Sequence, residues 1–88
     1  MNFYCYILEC ADGTFYTGWT TDPKRRVAQH NKGAGARYTG ARRPVKLIYL
    51  EAQPGRAAAM KRELAIKKMS RVQKRRLIAN QKGINSDL

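Results

Sequence analysis

At 88 residues the chain has room for one domain and no second one. A content of 43% hydrophobic and 27% charged residues is globular and excludes a disordered chain, and no apolar run is long enough to span a bilayer. The net charge is +12, and all 18 Lys and Arg fall in residues 24–88, which predicts a polyanionic partner, nucleic acid ahead of a membrane surface.

Phe3 to Cys10 is dense in aromatic and apolar residues at both parities, as in a strand buried on both faces. Cys5 and Cys10 on that strand lie roughly 16 Å apart and point to opposite faces, beyond disulfide reach. Without a second pair they form no zinc site. Free thiols, with no basic residue ahead of the first apolar stretch, predict a reducing, cytoplasmic setting.

Thr14 to Trp19 is a second strand, joined to the first by Ala11-Asp12-Gly13. A two-residue Asp12-Gly13 turn would put Tyr6 and Tyr16 on opposite faces. A three-residue loop pairs Cys10 with Thr14, Leu8 with Tyr16 and Tyr6 with Gly18, so both phenols share a face, with Gly13 in the left-handed position. We expect the three-residue loop, with the space above Gly18 open to a phosphate.

Asp22-Pro23 starts a helix that runs to about Asn31 and is ended by Lys32-Gly33. A Gly- and Arg-rich loop over 32–44 leads to a third strand, Val45 to Glu51. Pro54-Gly55 breaks the chain. Arg56 to Met69 is a helix with Met60, Leu64 and Ile66 on its core side. Ser70-Arg71-Val72-Gln73 is a capping box that opens a last helix ending near Asn80. The order is β-β-α-β-α-α, an α+β domain over 1–80 with a three-stranded, mostly antiparallel sheet, followed by a frayed tail at 81–88.

Several of these residues have chemistry to offer. Arg26 and His30, at i and i+4, share a helix face. The guanidinium suits phosphate, and the sole histidine can hydrogen-bond a phosphate oxygen or move a proton. By composition alone, Arg26 is one more solvated base and His30 a helix-end cation. Glu63, the only acid between Glu51 and Asp87, is either an ion-pair partner of Lys67 or a single carboxylate anchor for a divalent ion. Lys32, Arg37, Tyr38, Arg42 and Arg43 in the loop, and Lys67, Lys68, Arg71, Lys74 and Arg75 in the helix pair, are candidate phosphate rails, with Tyr38 able to stack on an unpaired base.

Tyr4-Cys5-Tyr6 on the first strand, Tyr16-Thr17-Gly18 on the second, Arg26 ten residues beyond Tyr16, His30 one turn later and Glu63 in the long helix together resemble the GIY-YIG nuclease superfamily. The resemblance covers residues 3 to about 80. It is closest to the small stand-alone bacterial proteins of that superfamily, relatives of excision-repair nuclease domains and homing endonucleases. Two positions depart from the pattern: Tyr4 replaces the first glycine, and Trp19 stands where excision-repair members have Lys.

The resemblance implies a GIY-YIG fold and a metal-dependent endonuclease hydrolysing DNA phosphodiester bonds. Tyr6, Tyr16, Arg26, His30 and Glu63 would be catalytic, and Glu63 would hold one Mg²⁺ or Mn²⁺. Arg26 and the metal are expected to lower the phenol's pKa. A non-catalytic DNA- or RNA-binding module of the same fold is the alternative. A monomer is expected, with DNA ahead of RNA and targeting by substrate shape or a protein partner.

Overall fold

The computed structural model describes residues 2–81. Its elements are β1 (Phe3–Glu9), β2 (Phe15–Thr20), α1 (Pro23–Asn31), α2 (Arg37–Gly40), β3 (Lys46–Gln53), α3 (Arg56–Lys67) and α4 (Arg71–Asn80). The sheet order is β2-β1-β3, antiparallel throughout. β1 is therefore central, which explains why Cys5, Tyr6, Ile7 and Leu8 are all buried in spite of their alternating direction.

The hairpin has the expected odd loop. Leu8 faces Tyr16 and Tyr6 faces Gly18. Cys10 N–H donates to Thr14 O at 2.8 Å, and Gly13 has φ 83°, the left-handed value that favours glycine. Asp22 caps α1 by accepting from Arg25 N–H, and Ser70 and Gln73 complete a reciprocal capping box on α4. Both cysteines are free and buried.

Two cores flank the sheet. Tyr6, Leu8, Cys10 and Val45 form one, joined by Tyr16 and Val27 from the α1 side. Cys5, Ile7, Tyr49, Ala59 and Ile66 form the other, under α3 and α4.

The structure corrects four local expectations. The 32–44 loop contains a short helix, α2, held by Gly40 N–H donating to Ala36 O and Thr39 Oγ1 donating to the same carbonyl. The third strand begins at Lys46 and runs on to Gln53. Gln81 is not frayed: its side-chain amide pairs with both the N–H and the carbonyl of Leu50 in β3. Residues 82–88 of the expected tail lie outside the described residues.

The fourth correction concerns α3. Met60 and Leu64 are 51% and 55% exposed, and the inward side carries Ala59, Arg62, Glu63 and Ile66. Ala59 is small enough for the helix to come close to β1, where Cys5 Sγ lies 3.1 Å from Ala59 O. Arg62 grips Glu51 of β3 with two bonds, at 2.7 and 3.2 Å, and Tyr49 Oη donates to the same carboxylate. That network fixes the position of α3, and with it the next residue, Glu63.

Candidate active site

β1, β2 and α1 bring three rings together. Tyr6 and Tyr16 are diagonal neighbours on the α1 side of the sheet, with centroids 6.5 Å apart. The imidazole of His30, from the last turn of α1, lies edge-on to both, at 5.9 Å from Tyr6 and 5.1 Å from Tyr16.

Tyr6 Oη lies 2.9 Å from His30 Nε2, and His30 Nδ1 lies 2.7 Å from Thr39 Oγ1. The directions of these bonds follow from counting protons. Thr39 gives its only proton to Ala36 O at 3.1 Å, so its oxygen accepts from His30 Nδ1–H. A neutral imidazole protonated at Nδ1 has a bare Nε2, which accepts from Tyr6 Oη–H. The chain therefore runs from Tyr6 through His30 to Thr39 and the α2 backbone, with the phenol as donor at one end.

Burial keeps His30 neutral. It is 0% exposed, and desolvation, followed by the nearby Arg26 charge, lowers its pKa to about 4. This excludes the helix-end cation, and full burial excludes direct contact with a phosphate. The neutral ring is left hydrogen-bonded at both nitrogens, to Tyr6 and to Thr39. Tyr6, 2% exposed, is pushed up to about 12. Burial is the largest cause. A hydrogen bond from Arg26 and its charge oppose the shift without reversing it. Arg26 thus acts in the expected direction, but alone it does not bring the phenol below its ordinary value, because desolvation outweighs it.

The neutral imidazole has a consequence for stability. Between about pH 4 and 6.5 the unfolded histidine binds a proton and the folded one does not, so stability falls as pH drops through that window. The full window amounts to roughly 3 kcal/mol. Denaturant midpoints measured at steps from pH 7 to 4.5 should fall, and the His30→Gln series should be nearly flat. Parallel series would show that His30 does not titrate this way. The lowered carboxyls of Glu51 and Asp12 lose their contributions as pH falls below about 4.5, at the acid end of this range.

Glycine makes the arrangement possible at two places. A Cβ on Gly18 would lie 2.5 Å from Tyr6 Oη, so the space above Gly18 holds the phenol itself and not an incoming phosphate as expected. A Cβ on Gly35 would lie 2.3 Å from His30 Nδ1, and Gly35 O accepts from Arg26 Nη2 at 3.1 Å. Gly35 and Thr39 both belong to the site, and the sequence reading missed them. The only signal was the position of Gly35 five residues after His30, in the Gly-rich loop.

Arg26 is half-buried and bonded to Gln29 Oε1 and Gly35 O, and its charge acts on Tyr6 to lower the phenol's pKa. Glu63 reaches the group from α3: its charge is among those that raise the Tyr6 pKa, and Lys67 Nζ lies 3.7 Å from its carboxylate. Of the two readings left open by the sequence, the ion pair with Lys67 is present. Among the described residues no group of three or more His, Cys, Asp or Glu is assembled.

The basic residues divide into two sets. Arg42 pairs with Asp12 at 3.1 Å and lies 3.9 Å over the Tyr38 ring. Arg43 donates to Gly40 O, and Arg71 to Gly13 O while stacking on Phe15. These three tie loops and helices together. Lys32, Arg37, Lys68 and Arg75 are exposed. Tyr38 stacks on Tyr16 at 6.1 Å, and both line a shallow depression of about 230 Å³ with Lys67 and Lys74. Thr17 lines it too, and its buried hydroxyl has no partner among the described residues.

A family model described as the GIY-YIG catalytic domain matches residues 2–76. A UPF0213 protein of Natronomonas pharaonis is 51% identical over 82 residues, 93% of this chain and 96% of its own length. Another, from Streptococcus agalactiae serotype V, is 52% identical over 80 residues, 91% of each. The solution NMR structure of a UPF0213 protein from Bacillus halodurans has 46% identity and a TM-score of 0.61, covering 94% of this chain and 88% of that one. The solution NMR structure of a protein from E. faecalis has 39% identity and a TM-score of 0.63, covering 97% and 94%. The shared sheet, the paired tyrosines and these matches lead to one conclusion: the chain belongs to the GIY-YIG family, whose domain implies nuclease-type function.

Proposed function

We infer that this chain is a divalent-metal-dependent endonuclease acting on DNA with little sequence specificity. The observation that carries the reading is the chain of hydrogen bonds from Tyr6 through neutral His30 to Thr39, set beside Arg26. A phenol with a pKa near 12 is a poor base alone, but here a bare imidazole nitrogen stands 2.9 Å away to take its proton.

At rest the proton stays on Tyr6, because the imidazolium loses its own near pH 4. A phosphodiester brought to Arg26 adds a negative charge, which favours the imidazolium and disfavours a free phenolate, so the phenol proton passes to His30 in the same step that Oη takes up another. Tyr6 Oη then accepts a proton from water attacking phosphorus. Arg26, with a fork suited to two phosphoryl oxygens, holds the charge that develops. Tyr16 forms the wall between this chain and the Tyr38 depression, orienting the strand.

The donor set fits Mg²⁺ or Mn²⁺: Glu63 is a hard oxygen ligand, and Mg²⁺ is commonly held by one or two carboxylates, its own waters and substrate phosphate. Glu63 would hold one such ion, which supplies Lewis-acid stabilisation of the leaving oxygen. Lys67, paired with Glu63 in the free protein, would be released to the phosphate backbone. The Tyr38 depression and the exposed lysines and arginines supply the sequence-independent contacts.

The test is a panel of single-stranded, duplex, flapped and branched DNA, plus RNA, incubated with Mg²⁺ or Mn²⁺. Nicking is expected with metal, and it should vanish in Glu63→Ala and Arg26→Ala while binding of uncleaved substrate persists. Glu63→Ala cleaving as fast as wild type would remove the hydrolase reading. Tight, salt-sensitive binding without any cleavage would leave a binding module.

A further inference from the structure

A second cleft, of about 340 Å³, opens at the far end of β2 between the first turns of α1 and α3. Its volume sits at the low end of small-molecule sites, roughly 300–1,000 Å³. Trp19 forms one wall, and Arg25, Arg26 and Arg56 supply three guanidiniums. Asp22, its only acidic lining residue, already caps α1 through Arg25 N–H. No ion pair among the described residues holds Arg25 or Arg56.

The placement of these charges runs against helix electrostatics. The positive end of a helix dipole favours acids, yet neither α1 nor α3 has an acid in its first turn. Lys24 and Arg25 open α1, and Arg56 opens α3. Both helix starts flank the same cleft. This concentration of positive potential suits a bound anion. The aromatic wall adds a second requirement. Trp19 is half-buried, resting on Phe3 at 6.3 Å, and the exposed Arg56 guanidinium stands 5.6 Å from its ring centroid. That gap is wider than contact stacking, and a long arginine side chain can open it further.

A ligand with a flat ring and an attached phosphate satisfies both requirements. We propose that the Trp19 cleft binds an unpaired nucleotide of the substrate strand, stacking its base on the indole and holding its phosphate with Arg25 and Arg56. The proposal rests on the nuclease reading for its context, because Arg26 lines this cleft and also reaches Tyr6. The strand is thereby anchored beside the phosphate at Tyr6. Bases inside a duplex are stacked on each other and offer no face to Trp19, so the cleft selects single-stranded, flapped or branched substrates.

Trp19 is the chain's only tryptophan, so its fluorescence reports this cleft and nothing else. The full-length protein, in EDTA to prevent cleavage, is titrated with a dT oligomer, an abasic oligomer of equal length and a blunt duplex. The dT oligomer should quench the emission, and the abasic strand and the duplex should bind with little quenching. Trp19→Ala should weaken dT binding roughly five- to a hundredfold and duplex binding hardly at all, whereas Trp19→Phe stays near wild type. Arg56→Gln should weaken dT binding in the same selective way. That variant, with the wild-type quenching contrast, decides the matter if Trp19→Ala fails to fold by circular dichroism. Equal quenching by all three ligands, or equal losses on dT and duplex, overturns the proposal. Because nothing is cleaved in this assay, failure of the nuclease reading leaves selective quenching intact. Cleavage without selective quenching overturns the Trp19 site alone.

Discussion

Tyr6→Phe is expected to lower the cleavage rate by about 10²- to 10⁴-fold, the usual worth of a positioned general acid or base. The substitution keeps the ring that packs over Gly18 and against Leu8, so the fold survives. Its structural cost is the loss of one partner for His30 Nε2, about 1–3 kcal/mol, measurable by denaturant unfolding. Tyr16→Phe should be far milder, less than roughly tenfold, because no relay partner among the described residues serves the Tyr16 hydroxyl. Single-turnover rates with saturating enzyme separate chemistry from binding. His30→Gln should fall close to Tyr6→Phe, and combining the two should cost little more than either alone, since they act as one unit. The reverse ranking, with Tyr16→Phe the more damaging, would assign the proton to the other phenol. Independent, multiplying losses for Tyr6 and His30 would break the relay.

The residues on β1 and β2 were legible in the sequence because strand geometry has a period of two. Once Gly13 fixes an odd-length loop, the register and the shared face of Tyr6 and Tyr16 follow without further information. The caps of α1 and α4 were legible for a similar reason, since Asp22 and the Ser70–Gln73 pair act within four residues. Arg26 and His30 could be placed on one helix face by their spacing.

What those side chains do there could not be read. Whether His30 is a cation or a neutral relay depends on burial by a loop whose composition, Gly-Ala-Gly-Ala-Arg, signals only flexibility. The loop folds as α2 because tertiary contacts, Thr39 to His30 and Asn31 to Val45, hold it in place. The inner side of α3 was misread because a hydrophobic stripe was expected. The helix turns Arg62 and Glu63 inward and leaves Met60 and Leu64 to solvent. Such an inversion disfavours stability and is the kind of local inconsistency that marks a functional site.

Gly35→Ala should therefore be among the most damaging single-methyl changes in the molecule. The added carbon would lie 2.3 Å from His30 Nδ1, 2.5 Å from its Cγ and 2.8 Å from its Cα. Rotating the imidazole relieves the first two contacts and not the third, which is backbone. Either α1 or the α2 loop must move. Overpacking of this kind costs about 1–3 kcal/mol, which for a domain of this size lowers the melting temperature by roughly 5–20 °C. The same shift carries the Gly35 carbonyl away from Arg26 and His30 away from Tyr6, so cleavage should fall as far as in Tyr6→Phe. Gly40→Ala is the control. Its nearest neighbour would be Gly33 O at 3.9 Å, ordinary contact, and alanine at a helical position should leave stability unchanged or slightly raised. Thermal melts and single-turnover rates on the pair decide the question. If Gly35→Ala melts and cleaves like Gly40→Ala, the α2 loop does not press on His30, and the account of how that imidazole is kept dry and neutral fails with it.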